Sequence, residues 1–298
     1  MKSTTLFIYL LFTSGSLFAQ ADTSHFSYFE KEEYNAFIAE STTLANGTTQ
    51  EKIVIDGFDS RVPFYYITPN NKEENKFILL LHGLTGSKDG WVYPMTSLSE
   101  KYIMLKDSLL AHGYTVIIPD AKYHGERSYE ADFISPVIMA QNQDIQRSYN
   151  LYTTTVKDIR IIMDYIEGKS TTGSQSFDVI GYSMGGQMTI LLNAVDNRLN
   201  RVVVCVAPLD MEKGAIRLGV EEENAGKLNP IAPKHFAPFQ KAPITYLVAT
   251  KDGWYTQAEA QDFFDEITIE DKTLNFYNSE HYLPEIFITD AINGIIKE

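Results

Sequence analysis

Three side chains of this 298-residue chain have the types and the order that turn a hydroxyl into a nucleophile: Ser183, Asp252 and His281. A serine hydroxyl attacks a carbonyl carbon only when a base takes its proton. An imidazole serves as that base when a carboxylate fixes its tautomer. Ser183 stands in Gly181-x-Ser183-x-Gly185, the spacing of a nucleophile elbow. At such an elbow the chain turns sharply from strand to helix, and small neighbours let the two arms approach. The hydroxyl then projects above a helix N-terminus, whose free N–H groups favour negative charge. The same residues would also suit a plain Gly/Ser turn, so the surrounding elements have to supply the partners.

Those elements can be read from hydrophobic patterning. Residues 52–56 and 62–68 read as two strands joined by a turn at Gly57-Phe58-Asp59. Apolar runs at 77–81, 114–119, 177–182, 201–207, 244–250 and 274–277 read as further strands. Helical patterns lie at 97–111, 144–166, 184–195, 256–267 and 283–296. Apolar strands alternating with helices predict an α/β fold, a mostly parallel sheet with helices on both faces. In such a sheet the functional groups gather where strands end. The residues there are His82-Gly83-Leu84, Asp120, Ser183, Asp210, Asp252 and, after the last strand, His281. Two aspartates compete for the acid. Asp252 is favoured because Gly253 permits a tight turn toward the histidine, whereas Asp210 opens an insertion and suits a helix N-cap.

The chain resembles the α/β-hydrolases, in particular serine carboxylesterases of the dienelactone-hydrolase and prolyl-oligopeptidase-like kind. The likeness runs from about residue 52 to the C-terminus. It rests on Leu81-His82-Gly83, Pro119-Asp120-x-x-x-His124-Gly125-Glu126-Arg127-Ser128, Gly181-Tyr182-Ser183-Met184-Gly185-Gly186, Ala249-Thr250-Lys251-Asp252-Gly253 and Glu280-His281-Tyr282. The resemblance implies an eight-stranded type of sheet, Ser183 as nucleophile, His281 as base and Asp252 as acid. It also implies an oxyanion hole made by the backbone N–H groups of Leu84 and Met184. Relatives that use cysteine carry it at the elbow, and this chain has serine there, so hydrolysis through an acyl-serine is the implied route. Tyr182, Trp254 and Tyr123 lie near strand ends and are the candidate substrate-binding residues. His82 and His124 are read as loop-shaping, and Asp120 as a loop-organising carboxylate.

Two long stretches interrupt the alternation, 122–143 and 211–240, and both leave from strand ends as lids do. Residues 22–50 read as a helical extension ahead of a hydrolase domain spanning 51–298. The first 21 residues carry an early lysine, a short apolar core and small residues near Ala19 and Ala21, the pattern of an export signal. That core is too short for a membrane span, and an exported, periplasmic or extracellular protein is expected. The formal charge of −14, from 25 basic and 39 acidic side chains, disfavours nucleic acid and anionic lipid as partners. The single cysteine, Cys205, sits in an apolar run and reads as core. No spaced His/Asp/Glu cluster and no Gly-rich phosphate cradle stands out, so neither metal nor cofactor is expected. The expected partner is a small ester; nothing in the sequence sets the oligomeric state. Two alternatives stay open: a peptidase or amidase of the same kind, and a binding protein on an inactive hydrolase scaffold.

Overall fold

The computed structural model describes residues 21–30, 33–73, 76–169 and 175–296; the export-signal expectation for the first 20 lies outside them. Among these residues nine strands form one sheet in the order β1-β2-β3-β5-β4-β6-β7-β8-β9. The strands are β1 (Ala36–Thr43), β2 (Thr49–Asp56), β3 (Arg61–Thr68), β4 (Phe77–Leu81) and β5 (Thr115–Pro119), followed by β6 (Phe177–Tyr182), β7 (Leu199–Cys205), β8 (Ile244–Ala249) and β9 (Lys272–Tyr277). The first three are antiparallel to their neighbours, and from β5 across to β9 all pairings are parallel. Parallel strands need both faces covered because their crossovers place helices there. Every residue of β5, β6 and β8 is accordingly buried. Each Val, Ile or Leu withdrawn from water in this way contributes about 1.5–3 kcal/mol.

The covering helices are α1 (Ser97–Ala111), α3 (Ile145–Lys169), α4 (Met184–Val195), α7 (Gln257–Glu266) and α8 (Phe287–Ile295). Helices α3 and α4 pack together, with α4 against β6 and β7, while α1 and α8 form a second pair with α8 on β7 and β8. Capping boxes start α1 and α7: Thr96 and Thr256 each accept from the third helical N–H, and Ser99 and Glu259 answer the cap residue's own N–H. Among the described residues no helix is long and apolar enough to cross a membrane.

The structure corrects the reading of residues 22–50. In place of a helical extension there is one short 3-10 turn, Thr23–Phe26, and then β1 paired antiparallel with β2. Because of β1 the sheet has nine strands and not eight. The reason is local chemistry combined with pairing. Phe37, Ile38, Thr42 and Thr43 favour an extended chain, and β1 covers the edge of β2 that would otherwise be left unpaired. The two interrupting stretches hold short helices: α2 (Pro136–Gln141) in the first, and α5 (Met211–Arg217) and α6 (Glu222–Ala225) in the second.

Candidate active site

Ser183 occupies the turn between β6 and α4 with φ 55° and ψ −114°, a conformation a residue with a side chain adopts only when its surroundings enforce it. The enforcement is visible. A Cβ on Gly181 would stand 2.1 Å from the Gly185 carbonyl oxygen, and a Cβ on Gly185 would stand 2.2 Å from that of Leu81. Only glycine lets these backbones approach so closely. The Ser183 N–H is tied to the Cys205 carbonyl at 2.8 Å, which anchors the turn to β7.

The Ser183 hydroxyl lies 2.8 Å from His281 Nε2, and His281 Nδ1 lies 2.7 Å from Asp252 Oδ2. A carboxylate only accepts, so Nδ1 carries the proton and Nε2 is left to accept from Ser183. The Asp252 side chain is wholly buried, and its Oδ1 accepts from the Trp254 N–H at 2.8 Å. The loops bearing Asp252 and His281 are laced together by Thr250 N–H to the Tyr277 carbonyl and Lys251 N–H to the Ser279 carbonyl. The Tyr182 hydroxyl donates to the His281 carbonyl and accepts from the Leu283 N–H, both at 2.9 Å. Asp210, the competing aspartate, caps α5 through the Lys213 N–H and pairs with Lys234.

The loop after β4 passes over the elbow closely enough that a Cβ on Gly83 would sit 3.5 Å from the Ser183 Cβ. Among the described residues the N–H groups of Leu84 and Met184 have no backbone acceptor. Both residues border the same cleft as Ser183, of about 270 Å³. Two donors without a backbone acceptor beside a hydroxyl are an arrangement that can hold a developing oxyanion.

Tyr182 and Trp254 also line the cleft, but Tyr123 does not. Tyr123 is buried in the turn after β5 at φ 66°, with the Lys122 ammonium 5.1 Å from its ring centre. Lys122 is itself held by Asp59 and Glu130, so the tyrosine ring packs against an ion cluster. Sequence patterning missed the rest of the cleft wall: Leu151 and Tyr152 from α3, Gln187 from α4, Ala140 from α2, and Met211 and Ala215 from α5. For Gln187 a signal existed, since it lies one helical turn past Ser183. Cys205 is fully buried, and burial pushes its thiol well above the usual range.

A model of the alpha/beta hydrolase family matches residues 78–285, which hold Ser183, Asp252 and His281 and the loops that carry them. The chain belongs to the alpha/beta hydrolase family. It is 23% identical over 261 residues to a Bacillus subtilis (strain 168) protein named "Putative esterase YitV", covering 78% of this chain and 94% of that one. Among solved structures it is similar to acetyl xylan esterase 1 from Thermoanaerobacterium sp. JW/SL YS485, with a TM-score of 0.65, 16% identity, and 88% and 87% of the two chains covered. It is also similar to a cold-adapted esterase from an Arctic intertidal metagenomic library, with a TM-score of 0.63, 19% identity, and 84% and 93% covered. These likenesses show a shared fold.

In this hydrolase the loop carrying Leu84 is supported from behind by two imidazoles, His82 and His124, with ring centres 5.1 Å apart and planes tilted by 53°. His82 Nδ1 donates to the Gly83 carbonyl and its Nε2 accepts from the Ala121 N–H. His124 Nε2 lies 2.7 Å from the Leu84 carbonyl and its Nδ1 lies 2.9 Å from the Lys122 carbonyl. Next to them Asp120 accepts from Lys88 N–H, Lys88 Nζ and Glu126 N–H, all within 3.0 Å. Burial pushes both histidines down to about 4. The unfolded chain therefore binds protons on these histidines from about pH 6.5 downward, while the folded one resists protonation until about pH 4. Their contribution is thus complete above the unfolded value and is lost as pH falls toward the folded one, by roughly 3 kcal/mol for each fully depressed histidine. The expected result is that the stability advantage of the wild type over His124→Gln, measured by urea unfolding, narrows between pH 6.5 and 4. A pH-independent difference would contradict it.

Proposed function

We propose that this protein is an exported serine hydrolase that cleaves carboxylic esters through an acyl-serine intermediate. The observation that carries the proposal is the continuous relay from the Ser183 hydroxyl through His281 to buried Asp252, at 2.8 and 2.7 Å. The esterase names of the relative and of the structural neighbours agree with it.

In the proposed reaction Ser183 Oγ attacks the acyl carbon as its proton passes to His281 Nε2. The carbonyl oxygen becomes an oxyanion and takes hydrogen bonds from the N–H groups of Leu84 and Met184, each contributing about 2.7–4 kcal/mol to the transition state. Asp252 stabilises the imidazolium that forms. Collapse of the tetrahedral species breaks the bond to the alcohol, which leaves with the proton from His281. Water then attacks the acyl-serine with His281 again as base, releasing the acid and restoring Ser183. A fluorophosphonate probe tests the reading. It should modify Ser183 stoichiometrically and abolish turnover of a p-nitrophenyl ester in step with labelling. Full turnover with Ser183 completely labelled would exclude the proposal.

Export is the second half of the proposal and rests on the leader pattern in residues 1–21. Protein made from the full sequence in a secreting bacterial host should be recovered outside the cytoplasm with Gln20 or Asp22 at its N-terminus. N-terminal sequencing reads this directly, and recovery of an unprocessed chain in the membrane fraction would rule it out.

A further inference from the structure

A histidine outside the cleft wall reaches the loop that carries the proposed oxyanion donor Leu84. His124 is buried, and it is not among the residues lining the cleft. Its Nε2 lies 2.7 Å from the Leu84 carbonyl oxygen, and its Nδ1 lies 2.9 Å from the Lys122 carbonyl oxygen. Two carbonyls thus face one imidazole, and a carbonyl oxygen can only accept. A neutral ring has a single N–H to give. An imidazolium would serve both oxygens, but burial and the neighbouring His82 stand against the charged form. Only one of the two contacts is therefore a hydrogen bond.

The contact to Leu84 is the shorter of the two, and the turn that holds Lys122 does not depend on the other. In that turn the His124 N–H donates to the Ala121 carbonyl at 3.1 Å, and the Arg127 N–H donates to the His124 carbonyl at 2.8 Å. The Lys122 N–H donates to Thr155 Oγ1 at 3.0 Å. Arg127 is itself buried between Asp158 and Glu130, at 2.8 and 2.7 Å. This frame stays closed with a lone pair of Nδ1 facing the Lys122 carbonyl. The loop after β4 has less to hold it. It runs Gly83-Leu84-Thr85-Gly86, and none of the four is buried, so its two glycines leave the backbone free to move unless it is tied.

The peptide ahead of Leu84 is tied through the Gly83 carbonyl, which accepts from His82 Nδ1 at 2.9 Å and from the Gly86 N–H at 3.0 Å. A bond from His124 ties the peptide after it. We propose that His124 is a positioning residue for the oxyanion site, carrying its proton on Nε2 and donating to the Leu84 carbonyl so that the Leu84 N–H keeps its aim. The proposal rests on the ester-hydrolase reading above, in which that N–H is one of the two oxyanion donors. With the carbonyls on both sides of residue 84 held, the N–H between them cannot swing. A donor fixed beforehand stabilises the transition state without reorganising, and a misplacement of about 1 Å can cost about a hundredfold in rate.

Two amides separate the two ring nitrogens. In His124→Asn the side-chain nitrogen stands as many bonds from Cβ as Nδ1 does, and in His124→Gln as many as Nε2 does. The first variant can serve the Lys122 carbonyl and leaves that of Leu84 unbonded. The second can serve the Leu84 carbonyl and leaves that of Lys122 unbonded. A merely structural histidine would not tell them apart in the transition state, since each variant keeps one of the two contacts.

The measurements are kcat and KM on p-nitrophenyl butyrate, inhibition by phenylboronic acid, and the proton's place on the ring. His124→Asn should lower kcat by about a hundredfold with KM within about threefold, the mark of an interaction made in the transition state. His124→Gln should recover most of that loss, to within about tenfold of the wild type, as one well-placed donor is worth about a hundredfold. Phenylboronic acid, whose tetrahedral adduct on serine mimics the oxyanion, should weaken in step with kcat/KM across the three proteins. In wild-type protein carrying ¹⁵N-histidine, the ring signal missing from His124→Gln should have its proton on Nε2, a reading independent of how either variant turns over. Equal kcat in the two variants, a loss confined to KM, or a His124 proton on Nδ1 overturns this proposal, while fluorophosphonate labelling of wild-type Ser183 leaves the esterase reading standing. No labelling and no turnover on any ester overturns both.

Discussion

Ser183→Ala is expected to lower kcat on a short p-nitrophenyl ester by about five to six orders of magnitude while leaving the protein folded. The size of the loss follows from the chemistry. On the proposed route no acyl-enzyme forms without Oγ, and what remains is whatever the proposed oxyanion donors and binding contribute, as for serine hydrolases stripped of their nucleophile. The small effect on stability follows from the geometry. The strained φ of 55° at residue 183 is imposed by glycines at 181 and 185, and alanine meets the same backbone restraint that serine does. The variant loses one hydrogen bond, Oγ to His281 Nε2, worth about 0.5–1.5 kcal/mol. Steady-state kinetics and a thermal melt in parallel are decisive. A Ser183→Ala protein that melts like the wild type and still turns over the ester would remove Ser183 from the reaction.

The extent to which this site can be read from sequence depends on what kind of constraint placed each residue. Gly181, Ser183 and Gly185 are fixed by a backbone approach so tight that composition records it, and a short motif survives as a result. Asp252 and His281 stand just past β8 and β9, where a parallel sheet gathers functional groups, so order and spacing find them. The cleft wall is different. Ala140, Leu151, Met211 and Ala215 meet only because two insertions fold back over α3, and an apolar residue on a short helix carries no mark of which cavity it faces. Tyr123 shows the converse error. It stands near a strand end, as a binding residue would, yet its ring packs on Lys122 of the Lys122–Asp59–Glu130 cluster and does not line the cleft, and ion pairing between residues distant in sequence leaves no local pattern. Strand β1 was hidden because nearly all its residues are exposed, so the in-out alternation that marks a half-buried strand is missing there.

The second large effect separates the two aspartates. Asp252→Asn is expected to reduce kcat by about 10⁴ with little change in fold, and Asp210→Asn to leave it within a fewfold of wild type. Asp252 Oδ2 accepts the His281 Nδ1 proton at 2.7 Å in a spot closed to solvent, with Oδ1 held by the Trp254 N–H. An asparagine in this position can keep its oxygen on Trp254, but it then turns its NH₂ toward Nδ1. The imidazole must answer with a lone pair, the proton moves to Nε2, and Nε2 no longer accepts from Ser183. The negative charge that stabilised the imidazolium is lost as well. At position 210 the same substitution has far less to disturb. Asparagine caps α5 as well as aspartate does, and the pairs given up, to Lys234 and more distantly to Lys213, involve partly exposed lysines, worth about 0–1 kcal/mol each. Because both substitutions are isosteric, kcat on one ester measured side by side isolates the charge. A dead Asp210→Asn protein beside an active Asp252→Asn protein would transfer the acid's role to residue 210 and require the His281 loop to move in solution.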